Sequence, residues 1–135
     1  MADGLAGKSD MLAGLVPGDA GFRLARRVES GQALSGRTIG MAVARALAVM
    51  ENNGSMRCVV AAPTAGAGGV LPAVLVPLYQ AGRVSEEQII QALYTASGIG
   101  AVIGYRACIA GAAGGCQAEI GTASAMAAGA LASIQ

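Results

Sequence analysis

The sequence contains no histidine and no tryptophan, and its 135 residues include a single phenylalanine and a single lysine. Without histidine, every mechanism in which this chain alone supplies an imidazole base is excluded. The lone lysine, Lys8, stands in a loose N-terminal stretch of Gly, Ala and Asp, which argues against a pyridoxal-phosphate Schiff base on this chain. Charge is scarce too. Charged residues make up 13% of the chain, about half the usual share. The net charge is +1 and no basic run exceeds Arg26-Arg27, so the electrostatic footprint of nucleic-acid binding is missing. The three cysteines, Cys58, Cys108 and Cys116, form no Cys-x-x-Cys pair and are odd in number. They argue against a disulfide framework and for a reducing compartment, the cytoplasm. The N-terminus shows no basic segment followed by an apolar one, so no secretory signal is read there.

What the chain has in quantity is small apolar residues: 54% of it is hydrophobic and 21 residues are glycine. Its length fits one helical domain over residues 1–135, long enough to bury a core without staples. With few bulky side chains available, the helices are expected to pack backbone to backbone, and much of the surface is expected to be covered in an oligomer. Two uncharged stretches, between Arg57 and Arg83 and between Glu87 and Arg106, are long enough to span a bilayer. Pro63, Pro72 and Pro77 interrupt the first, and Gly98, Gly100 and Gly104 the second. Neither has an aromatic belt or a flanking basic bias, so no membrane span is expected.

The pattern reads as all-α, a bundle of closely packed Gly/Ala-rich helices with room for one short extended segment near 58–62. Residues 1–10 have no apolar period. A helix is expected from about Asp19, carrying Phe22, Ala25, Arg26 and Val28 and ending at Gly31. Ser35 is placed to cap the next, in which Ile39, Val43, Leu47 and Met50 recur at helical spacing until Asn52-Asn53-Gly54. Thr64 can cap a helix that runs towards Tyr79, with a kink at Pro72 and an end at Gly82. Ser85-Glu86-Glu87-Gln88 is a capping-box pattern, with Ile89, Ile90, Leu93 and Tyr94 following on one face. That helix is expected to reach about Ala110, before Gly111, Gly114 and Gly115 break it, and an Ala-rich helix spans Thr122–Ile134.

Few constellations can carry chemistry. Glu86-Glu87 is better explained by helix capping than by acid–base work. Ala65-Gly66-Ala67-Gly68-Gly69 resembles a dinucleotide loop only loosely, because the spacing is not Gly-x-Gly-x-x-Gly and no acidic ribose partner follows at the right distance. Two readings of it stand: a glycine-lined helix contact, or backbone N–H groups that, beside Thr64, suit a carboxylate or phosphate. Cys116 lies between a Gly pair and Gln117, on a turn or on the first turn of a helix, where the backbone dipole favours a thiolate. Iron–sulfur ligation takes three or four thiolates. Cys58 and Cys108 read as small core residues and not as partners in such a set.

Two longer segments narrow these readings. Val59 to Leu75, with Ala62-Pro63-Thr64-Ala65-Gly66 at its centre, resembles a segment of the alpha chain of iron–sulfur-dependent L-serine dehydratases. Ala110 to Ala128, with Gly114-Gly115-Cys116-Gln117-Ala118-Glu119, is similar to a second, and Gly18-Asp19-Ala20 and Glu51-Asn52-Asn53 to earlier landmarks of that family. The resemblance covers nearly the whole chain in order. It implies that Cys116 is one of three cysteines holding a [4Fe-4S] cluster, the other two lying in a downstream segment absent from these residues. Gly68 stands where many members have Cys, and Ala113 where many have Glu.

The resemblance further implies a lyase of amino-acid degradation and gluconeogenesis, converting L-serine to pyruvate and ammonia with the cluster as Lewis acid. It implies a beta chain or beta domain as partner, in a homo- or hetero-oligomer. The α-proton base is then expected outside this chain. Thr64, the backbone of Gly66, Gly68 and Gly69, and Asn52 or Asn53 are the expected substrate contacts. The chain is expected to be a fragment, continued beyond Gln135 and shortened at its start, and inactive by itself. Two other readings of the residues remain: a non-catalytic small-residue helical module serving membrane or assembly packing, and a metal-free anion-binding helical domain.

Overall fold

A computed structural model describes residues 1–7, 9–12, 14 and 16–135. The expectation about Lys8 lies outside the described residues. Among the described residues the protein is all-α, as expected, with seven α-helices, one 3-10 turn and no sheet. The chain divides into two compact units, Met1–Val60 and Ala61–Gln135. Where a short extended segment was expected near 58–62, the described residues form an irregular connection with no strand partner.

The first unit holds α1 (Ala2–Ala6), α2 (Ala20–Glu29) and α3 (Gly36–Gly54). The lead-in expected to lack structure therefore contains one short helix. Helices α1 and α2 both pack on α3. The contact is close because glycines face alanines across it. A Cβ built on Gly4 would lie 2.6 Å from the Ala48 carbonyl oxygen, and one on Gly21 would lie 2.8 Å from the Ala48 nitrogen and 2.9 Å from the Ala44 carbonyl oxygen. Real side-chain carbons do not approach backbone so closely, so glycine at these two positions sets the helix separation.

The buried stripe of α3 is Gly40, Ala44 and Ala48, spaced by four, with Val49, Glu51 and Asn52 beside it. The bulky period Ile39, Val43, Leu47 does mark the helix but not its inner face: Ile39 is 64% exposed and Leu47 37%. Helix α2 starts and stops as expected, Asp19 at its N-cap and Gly31 turning out with φ 76°. Asp19 does not cap with its side chain, and instead faces Arg23 at 3.2 Å. The capping groups come from α3: Glu51, buried, accepts from the Ala20 N–H at 2.6 Å and the Gly21 N–H at 3.3 Å. A carboxylate at a helix N-terminus satisfies orphan donors and meets the positive end of the dipole.

The second unit holds a 3-10 turn (Ala65–Ala67), α4 (Val70–Gln80), α5 (Glu86–Arg106), the single turn α6 (Gly111–Gly114) and α7 (Cys116–Ile134). Helices α4 and α5 pack along α7. The core joins Leu71 and Leu75 to Ala92 and Ala96 of α5 and to Met126, Ala127 and Ala130 of α7. Here too the inner stripe is small, Ala92, Ala96 and Gly100, while Leu93 and Tyr94 of the expected face point outwards. Ile89 is partly buried against the core. The capping box is formed in full: the Gln88 N–H donates to Ser85 Oγ at 3.2 Å and the Ser85 N–H to Gln88 Oε1 at 2.9 Å.

Pro72 does not kink a helix, because α4 begins at Val70 and Pro72 falls in its first turn, where no N–H is required. Pro77 is the proline inside α4, and Gly82, with φ 64°, ends it as expected. Helix α5 ends at Arg106 and not near Ala110, and α7 starts six residues before Thr122, at Cys116. No helix among the described residues is long and apolar enough to cross a membrane.

Candidate functional site

The break between α5 and α7 sets the position of Cys116. The chain leaves α5 at Ala107 in extended conformation, makes the single turn α6, and passes through Gly115 with φ 77°. That left-handed backbone favours glycine, and it places Cys116 at the first position of α7 with its thiol free and exposed. The turn folds back on the helix it precedes. The Ala118 N–H donates to the Gly115 carbonyl at 3.0 Å, and a Cβ on Gly114 would lie 2.9 Å from that of Ala118 and 3.4 Å from the Cys108 Sγ.

One helical turn after Cys116, the half-buried carboxylate of Glu119 gathers three stretches of this unit. Thr64 Oγ1 donates a hydrogen bond to Glu119 Oε1. A Cβ built on Gly66 would lie 2.9 and 3.0 Å from the two carboxylate oxygens, and one built on Gly111 would lie 2.9 Å from the carboxyl carbon. Glycine at both positions thus leaves room for the carboxylate. Thr64 precedes the 3-10 turn with an extended backbone but makes no cap with its side chain, because its hydroxyl is turned to Glu119.

The expected substrate contacts are distributed as follows. Thr64 and Gly66 lie against Glu119. Gly68 and Gly69 are buried, the Gly68 N–H donating to the Ala65 carbonyl at 3.2 Å, and Gly69 stands at the N-cap of α4. Asn52 and Asn53 belong to the first unit, near the end of α3. Asn52 is buried and its Oδ1 accepts from Ser9 Oγ at 3.2 Å, while the Asn53 carbonyl accepts from the Met56 N–H at 3.1 Å. Cys58 and Cys108, expected in the core, are exposed: Cys58 lies in the irregular connection and Cys108 in the turn after α5, neither on a packed helix face.

Among the described residues, no three His, Cys, Asp or Glu side chains converge as a metal-ligand set. An iron–sulfur cluster takes three or four ligands, so these residues do not complete one. A free, exposed thiol at a helix start fits one corner of such a set. The residue that reading by pattern passed over is Glu119 as a tie between segments. Its spacing of three from Cys116 puts both on one face of α7, but its partners Thr64 and Gly111 are visible only in the fold.

Comparison with known proteins now gives the class. The family model described as serine dehydratase alpha chain matches residues 1–135, and this chain belongs to that family. It is 46% identical over 118 residues to the probable L-serine dehydratase, alpha chain, of Bacillus subtilis, covering 87% of this chain and 39% of that protein. It is 47% identical over 102 residues to the L-serine dehydratase, alpha chain, of Peptoniphilus asaccharolyticus, covering 76% of this chain and 35% of that protein. An L-serine dehydratase of Escherichia coli is 47% identical over 87 residues, covering 64% of this chain and 19% of that protein. The chain thus spans about two fifths or less of the length of these relatives. No solved structure matches it.

Proposed function

We propose that these residues are part of the catalytic region of an L-serine dehydratase, and that Cys116 is one ligand of its [4Fe-4S] cluster. The observation that carries this reading is the thiol itself: free, exposed and held at the first position of α7 by the left-handed Gly115. The names of the relatives support L-serine as substrate and a beta chain as partner. The proposed location is the cytoplasm.

The reaction removes water from L-serine. A base takes the Cα proton, the Cβ–O bond breaks, and aminoacrylate tautomerises to an imine that hydrolyses to pyruvate and ammonia. With Cys116 among its ligands, a bound cluster would supply the Lewis acidity that makes hydroxide a tolerable leaving group. This chain contributes the Cys116 thiolate and, in the Thr64–Gly66 loop, groups able to contact substrate. Gly68 and Gly69, which are buried, take part through the scaffold of the second unit. The base is assigned to the protein beyond these residues, since this chain has no histidine to supply an imidazole.

The test joins the chain to the remaining cysteines and the beta part, rebuilds the cluster anaerobically from iron and sulfide, and measures pyruvate from L-serine. Cluster absorbance and turnover are expected, and Cys116→Ala should lose both. An extended protein that takes up no cluster, or a Cys116→Ala variant that keeps cluster and activity, overturns the proposal. The 135 residues alone should release no pyruvate.

A further inference from the structure

We infer that Glu119 is the positioning residue of Cys116: its carboxylate, tied to Thr64 and seated against Gly66 and Gly111, fixes the first turn of α7 and with it the direction of the thiol. This rests on the reading of Cys116 as a ligand. The Thr64–Gly66 segment, 55 residues away at Thr64, and the nearby turn at Gly111 both meet the Glu119 carboxylate. An acidic residue in a first helical turn is ordinarily explained by the helix dipole, with its side chain in solvent or reaching back to its own N-terminus. Glu119 does neither. It reaches across to the Thr64 hydroxyl, and two glycines make space for it where any Cβ would crowd its carboxyl group.

Cys116 and Glu119 are three positions apart, so one turn of backbone links the tie to the thiol. A ligand side chain must be held to about 0.5 Å of its working position, and groups one step removed from the ligand do that holding. Gly115 turns the chain into α7 just before Cys116. Glu119 ties the same turn of helix from the other side.

The test reads the thiol directly and needs no cluster. The 135-residue chain is treated with iodoacetamide under native conditions, and alkylation of Cys116 is followed by peptide mass spectrometry relative to Cys58 in the same sample. Thr64→Val removes the hydrogen bond while keeping the Glu119 charge and the side-chain volume, and should change the Cys116 to Cys58 rate ratio about threefold or more. Thr64→Ser keeps the hydroxyl and should restore a ratio close to that of the parent chain. An unchanged ratio in Thr64→Val with an unchanged helical circular dichroism signal overturns the inference, as does a Thr64→Ser ratio displaced as far as that of Thr64→Val. If Thr64→Val loses helical signal, Thr64→Ala replaces it under the same two criteria. Because the ratio is read without iron, sulfide or partner, its failure is distinct from the loss or retention of cluster in Cys116→Ala.

Discussion

Gly21→Ala tests the closest helix contact of the first unit. The added Cβ would lie 2.8 Å from the Ala48 nitrogen, 2.9 Å from the Ala44 carbonyl oxygen and 3.0 Å from the Ala48 Cα. Carbon contacts relax to about 3.5–4.0 Å, so α2 and α3 must part by most of an ångström. No rotamer can relieve this, because all three neighbours are backbone atoms. Overpacking of this kind costs about 1–3 kcal/mol. The better helix propensity of Ala returns at most about 1 kcal/mol. Separation also stretches the 3.3 Å hydrogen bond from the Gly21 N–H to Glu51, already the longer of the two. The net expectation is a loss of about 1–2 kcal/mol. Native-state hydrogen exchange of the α2 and α3 amides reads it locally, as exchange roughly 5–30-fold faster. Gly98→Ala in α5 is the control, since nothing lies within 4 Å of its Cβ position. There the same chemical change should slow exchange, by about 0.5–1 kcal/mol of added stability. Parent-like or slower exchange in Gly21→Ala would refute the close crossing of α2 on α3.

Two further outcomes concern helix starts. Glu51→Ala leaves the half-buried Ala20 and the buried Gly21 N–H groups without their acceptor, and should destabilise the first unit by about 1–3 kcal/mol, read as a lower urea midpoint of circular dichroism. Ser85→Ala dismantles the capping box and should cost about 1 kcal/mol, seen as faster exchange in the first turn of α5 with little change in the α4–α7 core.

Part of the chemistry of helix ends was readable from residues alone, although Asp19, Ser35 and Thr64 make no side-chain cap. Ser85 with Gln88, and the glycines at 31, 82 and 115, carry their meaning within a few neighbours, because a cap or a positive φ is a local event. The inner faces were not readable. In α3 the bulky residues Ile39, Val43 and Leu47 have the stronger hydrophobic signal, yet the packed stripe is Gly40, Ala44 and Ala48. Periodicity identifies a helix, but which side is inward depends on how near the partner's backbone comes, and that is decided by Gly4 and Gly21 on other helices. Pro72 was misplaced for a related reason. Whether a proline kinks or begins a helix turns on a boundary of one or two residues, and here the 3-10 turn takes the residues that α4 would have used.

The site had the same division. The break before Cys116 follows from the glycines there, but the helix was expected only from Thr122, and the role of Glu119 depends on Thr64 and Gly111, 55 residues away in the first case. The glycines of this chain therefore do three different things. Gly21 sets a helix separation, Gly115 sets a backbone direction, and Gly66 and Gly111 leave room for a carboxylate, while Gly98 and Gly121 meet nothing within 4 Å. Substitution by alanine separates these roles by mechanism. At Gly98 or Gly121 it should add helix stability, and at Gly21 it should force backbones apart. At Gly66 or Gly111 the added carbon meets a side chain, which can swing away. The energetic cost there should be small, and the consequence should appear instead in where Glu119, and through it Cys116, points. A change of thiol reactivity without a matching change of stability is what distinguishes a positioning contact from a packing one.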